Sequence, residues 1–173
     1  MNKRSINQNR PQQIIHPIPP TYDQHSRILI LGSFPSVKSR EMMYFYGHPQ
    51  NRFWKVISAV TESPVPQDIM QKKELLIKNH IALWDVIRSC DIIGSDDASI
   101  KNAEPNDLSI ILDTADIRCI FTNGTKSYDM YMKYIYPEIK REAVKLHSTS
   151  PANASWSLKR LIEEWEVIKE YII

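Results

Sequence analysis

Residues 27–32 read Arg-Ile-Leu-Ile-Leu-Gly, an unbroken isoleucine and leucine run closed by a glycine. A segment apolar on both faces suits a strand inside a parallel sheet, because a strand with one wet face would alternate. Outward from it, three further strand candidates lie at 81–86, 117–122 and 144–148. Helical spacing separates them. Phe53, Trp54, Ile57 and Val60 share one face, and Tyr128, Tyr131, Met132 and Ile135 share another. Leu158, Leu161, Ile162, Trp165, Ile168 and Ile172 stripe a last helix at intervals of three and four. Shorter helices are expected over 68–78 and 106–113. Strands alternating with helices predict an α/β fold, a three-layer αβα sandwich around a central, mainly parallel four-stranded sheet.

Composition narrows the chemistry. At 173 residues the chain suits one domain, and 42% hydrophobic with 24% charged residues is ordinary globular usage. No apolar run reaches the length of a membrane span, and no signal core follows Lys3 and Arg4. A cytoplasmic monomer is the expectation. Two cysteines supply neither a disulfide framework nor an iron–sulfur cluster, and five histidines show no HExxH spacing. Neither a metal nor another cofactor is therefore expected. A net charge of +2 is compatible with DNA without arguing for it. Residues 1–20 are polar and carry Pro11, Pro17, Pro19 and Pro20, which suggests a tail and extended lead-in before a domain at 21–173.

Parallel sheets bind ligands beyond the carboxyl ends of their strands. Here those ends are Gly32-Ser-Phe-Pro-Ser36, Trp84-Asp85, Thr122-Asn-Gly-Thr-Lys126 and Ser148-Thr-Ser-Pro-Ala-Asn153. Of four glycines, Gly32, Gly47 and Gly124 fall at or near these ends, where backbone must turn or approach something closely. Asn123, Gly124, Thr125 and Lys126 make a strand-to-helix turn whose free amides suit a phosphate. Lys126 would neutralise one such charge. A generic nucleotide-binding domain lacks support, since no GxGxxG or P-loop is present.

The stretch Gly47-His-Pro-Gln-Asn-Arg-Phe-Trp-Lys55 resembles the HPxNRFW segment of mismatch-specific uracil glycosylases. Together with GSFPS after the first strand and STSPAN after the last, it is similar to the hypoxanthine-DNA glycosylase branch of the uracil-DNA glycosylase superfamily. The resemblance spans roughly residues 20 to 170. It implies hydrolysis of the N-glycosidic bond of a deaminated base, hypoxanthine first, in double-stranded DNA during base excision repair.

It also assigns expected roles. Better-known members carry Asn or Asp in the first strand-end loop to position or activate water, and here Phe34 stands there. Asn51 is the candidate replacement as a catalytic residue, or else a helix cap. Tyr46 would stack on the extruded base, or else cover the core; His48 would contact DNA or cap a helix. Trp84 and Asp85 occupy the base-reading strand end, with Gly32, Ser33 and Phe34 beside them. A carboxylate there accepts from the N1–H of hypoxanthine. Core packing for Trp84 and a helix N-cap for Asp85 are the alternatives. The last motif places Ser148 where relatives keep a histidine that stabilises the leaving base, with His147 on the opposite face. Ser150 and Pro151 would contact DNA, and Ala152-Asn153 would fill the gap left by the flipped nucleotide. Residues 96–102 also resemble the branch, as a loop near the second strand. A mismatch-type uracil glycosylase and a non-catalytic lesion binder stand as alternatives.

Overall fold

The run that opens the fold lies at the centre of a parallel sheet. The computed structural model describes residues 9–173. Its strands are β1 (Gln12–Ile15), β2 (Ile28–Gly32), β3 (Ile81–Asp85), β4 (Ile87–Ile92), β5 (Lys101–Pro105), β6 (Cys119–Asn123) and β7 (Ala143–Leu146). The helices are α1 (Val37–Met42), α2 (Phe53–Val60), α3 (Ile69–Lys78), α4 (Ser109–Leu112), α5 (Thr125–Tyr134), α6 (Tyr136–Ile139), α7 (Leu158–Trp165) and α8 (Lys169–Ile172). One 3₁₀ turn spans Asp97–Ser99 and another joins α7 to α8 at Glu166–Ile168. Strands β3-β2-β6-β7 pair in that order, all parallel, with helices flanking the sheet. Ile28, Leu29, Ile30 and Leu31 have no exposed surface. Burying each contributes about 1.5–3 kcal/mol, more than the ~1 kcal/mol range of β-propensity, so packing decides this strand.

Helix signals read as expected where burial and caps agree. All four stripe residues of α2 are buried, and α2 packs on α7. Asp68 caps α3 by accepting the Gln71 amide at 2.8 Å. The helix expected over 106–113 shrinks to α4, because Asn106 turns inward and donates to the carbonyls of Asp85 and Ile87 at 2.9 and 3.1 Å.

A second sheet, antiparallel with order β1-β4-β5, joins the first where β3 runs into β4 across Val86. It corrects the reading of residues 1–20 as a tail over its second half; residues 1–8 lie outside the described residues. Gln12–Ile15 pair with Ser89–Ile92, Ile18 is 2% exposed in the core, and Thr21 bridges Leu83. That bridge shields the β3 edge, which would otherwise offer unpaired backbone.

Candidate active site

Four strand ends converge on a cavity of about 350 Å³, with Gly32, Asp85, Asn123 and Ser148 on its walls. That volume falls within the roughly 300–1,000 Å³ of small-ligand sites. Gly32 is required by proximity: a Cβ there would stand 2.3 Å from Asp85 Oδ1 and 3.0 Å from the Tyr46 hydroxyl. Gly124 is required by conformation, with φ at 98° and a would-be Cβ 2.9 Å from that of Ser148. It lets the turn into α5 pass close under the loop after β7.

Strand alternation separates Trp84 from Asp85. Asp85 lines the cavity, whereas Trp84 does not and packs in the core with 8% exposure. Trp84 is therefore corrected from a base contact to a core residue. Nor does Asp85 cap a helix, since β4 follows. Its Oδ2 accepts a 2.7 Å hydrogen bond from His16 Nε2, and both side chains are nearly inaccessible. Its Oδ1 has no protein partner among the described residues and lies against Gly32.

Phe34 forms an apolar wall, edge-on to the His16 ring at 5.8 Å. Ser33 donates through Oγ to Asp97 Oδ2 at 2.9 Å. Asp97, in the 96–102 stretch, thus joins the cavity as a second carboxylate. Burial raises its pKa; the Asp85 charge adds to this, while the Ser33 hydrogen bond and Lys126 oppose it.

Tyr46 holds a left-handed backbone, φ 52°, uncommon for an aromatic residue and characteristic of sites under constraint. One ring face stacks on Phe53 at 4.0 Å, and the residue lines the cavity. Its buried hydroxyl has no hydrogen-bond partner among the described residues. Burial first, and the Asp85 charge second, drive the phenol far above its ordinary pKa, so it stays neutral.

Asn51 caps and faces the cavity at once. Its Oδ1 accepts the Phe53 amide at the start of α2 and the Thr149 hydroxyl, both at 2.9 Å. That occupies both lone pairs and leaves the Nδ2 hydrogens without a protein partner among the described residues. Thr149, fully buried, bonds Asn123 as well. It accepts from Asn123 Nδ2 and donates its own amide to Asn123 Oδ1, each at 3.0 Å. Thr149 was hidden in the sequence between two serines, and only this pairing marks it. His48 lines the rim, exposed, its Nδ1 accepting from the Gln50 amide at 3.1 Å.

The loop after β7 is clamped by Arg52, a residue that sequence reasoning missed. The guanidinium donates to the carbonyls of Ser150 at 2.9 Å and Asn153 at 3.0 Å, and to those of Thr149 and Trp156. A planar fork of five donors suits such convergent carbonyls. Ser148 Oγ accepts the Ser150 amide, and Ser150 Oγ accepts that of Ala152. Pro151 and Ala152 form the exposed tip. Asn153 folds back instead, donating to the Ser148 carbonyl at 3.0 Å, so it braces the loop rather than extending it. His147 points away, bonded to Glu164 at 2.8 Å and stacked on Trp156 at 3.6 Å. Thr125 is exposed at the start of α5, and Lys126 is half-buried near Asp97.

Among the described residues, no group of three His, Cys, Asp or Glu side chains could hold a metal, and no helix is long and apolar enough to cross a membrane. The cavity instead offers fixed amides, hydroxyls and two carboxylates around an aromatic wall, a set that can bind a flat heterocycle and order a water.

Comparison with known proteins agrees in sequence and in shape. A hypoxanthine DNA glycosylase of Methanosarcina barkeri is 35% identical over 151 residues, 85% of this chain and 92% of that protein. One from Methanosarcina acetivorans is 34% identical over 154 residues, 87% of this chain and 94% of that protein. A solution NMR structure from Methanosarcina acetivorans, described as a candidate uracil DNA glycosylase, superposes with a TM-score of 0.76 at 31% identity. It covers 95% of this chain and 98% of that one. The model of the uracil DNA glycosylase superfamily matches residues 19–171, which takes in every strand end that builds the cavity. With its parallel sheet, its strand-end pocket and that match in hand, the chain belongs to the uracil DNA glycosylase superfamily.

Proposed function

We propose that this protein is a monofunctional DNA glycosylase that releases hypoxanthine from deoxyinosine in double-stranded DNA, acting as a monomer. The observation that carries the reading is Asp85, an acceptor on the cavity wall where the resemblance places the base-reading residue. The lactam edge of hypoxanthine offers a donor at N1–H. The preference for this base over uracil draws on the relatives named as hypoxanthine DNA glycosylases.

Extruding a nucleotide costs a few kcal/mol, and least when the base is poorly paired. The exposed Pro151-Ala152 tip would fill the gap, while amides of the Asn123–Lys126 turn and the Lys126 charge hold a phosphate. In the cavity the base lies against Tyr46 and Phe34, and Asp85 accepts from its edge. Water, ordered by the Asn51 Nδ2 donors, attacks C1′ as the bond to N9 breaks, and the proton it loses passes through solvent to the departing base. The bonding pair leaves with the base, where Ser148 and nearby amides stabilise the charge. Positive charge that develops on the sugar is favoured by Asp97 and Asp85. No side chain forms a covalent bond.

Phe34, in place of a polar residue, supports a second reading as a non-catalytic lesion binder. Alkaline strand cleavage of labelled duplexes carrying inosine, uracil or xanthine separates the readings. Inosine cut fastest supports the proposal, and uracil cut faster indicates the mismatch-type enzyme. Tight binding with no cutting of any duplex indicates the lesion binder.

A further inference from the structure

Asp85 reads a base usefully only if its charge state is fixed. A carboxylate accepts from a ring N–H, whereas a carboxylic acid can also donate to a ring nitrogen lone pair. Deamination of adenine or cytosine makes that exchange, turning a ring acceptor into a ring donor. A carboxyl group with no fixed donor on one oxygen can present either oxygen, or a hydroxyl, to a ligand, which would blur the distinction the site has to make.

His16 prevents this. Its Nδ1 accepts the Ile18 amide at 3.2 Å, so that nitrogen carries no hydrogen and the ring hydrogen is on Nε2. Nε2 therefore donates to Asp85 Oδ2, and the pair is enclosed by Phe34, Phe45 and Trp84 with ring centroids 5.8, 6.1 and 6.4 Å from that of His16. Low polarity around the pair strengthens the hydrogen bond. His16 follows β1 directly and its amide donates to the Arg88 carbonyl at 2.7 Å, so the second sheet sets its position. Asn106, donating to the Asp85 carbonyl, holds the backbone from the other side. Oδ1 alone is left for a ligand.

We propose that His16 is a positioning residue that keeps Asp85 an acceptor-only carboxylate, and so makes the pocket select bases bearing a ring N–H over their undeaminated parents. The inference rests on the reading of Asp85 as the base reader. Sites built around a specific hydrogen bond reject analogues lacking it by as much as about 10⁴-fold. Here the lone pair of adenine N1 would face a fixed negative charge.

The test is equilibrium affinity for duplexes carrying non-cleavable 2′-fluoro-2′-deoxyinosine or 2′-fluoro-2′-deoxyadenosine opposite thymine, with wild type, His16→Phe and His16→Gln. Dividing each variant's inosine-to-adenosine ratio by that of wild type cancels the difference in pairing. His16→Phe is expected to lower the ratio about tenfold or more, because Asp85 Oδ2 then loses the donor that faces it. His16→Gln, which keeps a donor at the same reach, restores it. A wild-type ratio near one would sink the reading of Asp85 and this inference with it. A strong wild-type ratio that folded His16→Phe leaves unchanged would overturn the role of His16 alone. If His16→Phe does not fold, ring ¹⁵N NMR of the wild type decides: hydrogen on Nε2 supports the proposal, and hydrogen on Nδ1 overturns it.

Discussion

Asn51 shows how one amide serves fold and site together, by splitting its two ends between them. The oxygen is consumed by the Phe53 amide and the Thr149 hydroxyl, and the nitrogen is left to the cavity. Asn51→Ala is therefore expected to lose about 1 kcal/mol of stability, as other helix-cap deletions do. Asn51→Asp keeps the acceptor, and in urea unfolding it should match wild type. Equal loss in both would mean that the cap contributes nothing. Asp97 makes the opposite trade. Burial raises its pKa, so the folded state binds its proton more tightly than the unfolded chain and stability falls as pH rises through the folded value. Asp97→Asn should raise the urea midpoint at pH 7, with the gain shrinking as pH falls toward 3.8, the ordinary value for the group. A gain independent of pH would show that desolvation of the carboxylate is not its source.

Among the elements, the loop after β7 is held by the Arg52 clamp together with its own Ser148, Ser150 and Asn153 side chains. Arg52→Lys keeps the charge but cannot reach four carbonyls with one ammonium. A cost of about 1.5–3 kcal/mol is expected, the range for hydrogen bonds to charged groups. Faster amide exchange at residues 150–153 should accompany it, and unchanged exchange there would contradict the clamp. Three of the four parallel strands were legible in sequence because β2, β3 and β6 are apolar runs buried along most of their length, whereas β7 is half exposed and shows only as a short run between helical stripes. The antiparallel sheet was not legible. Gln12–Ile15 is polar then apolar, Lys101–Pro105 is mostly polar, and Ile87–Ile92 is broken by register shifts around Ser89 and Asp91. Pairing across distant sequence makes these strands, and no local period announces them. His16 went unread for the same reason, since the residue before a proline reads simply as extended. Asn51, Tyr46, Asp85 and Ser148, singled out through the resemblance, come together on the walls of one cavity. Trp84 was misplaced because adjacency in sequence meant opposite faces in the strand.

For the whole molecule, a net charge of +2 leaves little long-range pull on DNA. Under the proposed function, recognition falls to the strand-end loops, and few phosphate contacts and a shallow salt dependence are expected. Lys126→Ala should weaken binding to lesion and undamaged duplexes alike and reduce the slope of log affinity against log salt by about 1. A change confined to lesion duplexes would place Lys126 at the base rather than at the backbone. The proposed function requires this pocket to order a water and to hold a flipped deaminated purine beside its two carboxylates and aromatic wall. Single-turnover release of free hypoxanthine from an inosine duplex tests this most directly, with wild type beside Asn51→Ala at a temperature where both are folded. Release by wild type, slowed about 10²–10³-fold in Asn51→Ala at equal duplex affinity, is the predicted result. Equal rates in the two proteins, or no hypoxanthine from either, would contradict it.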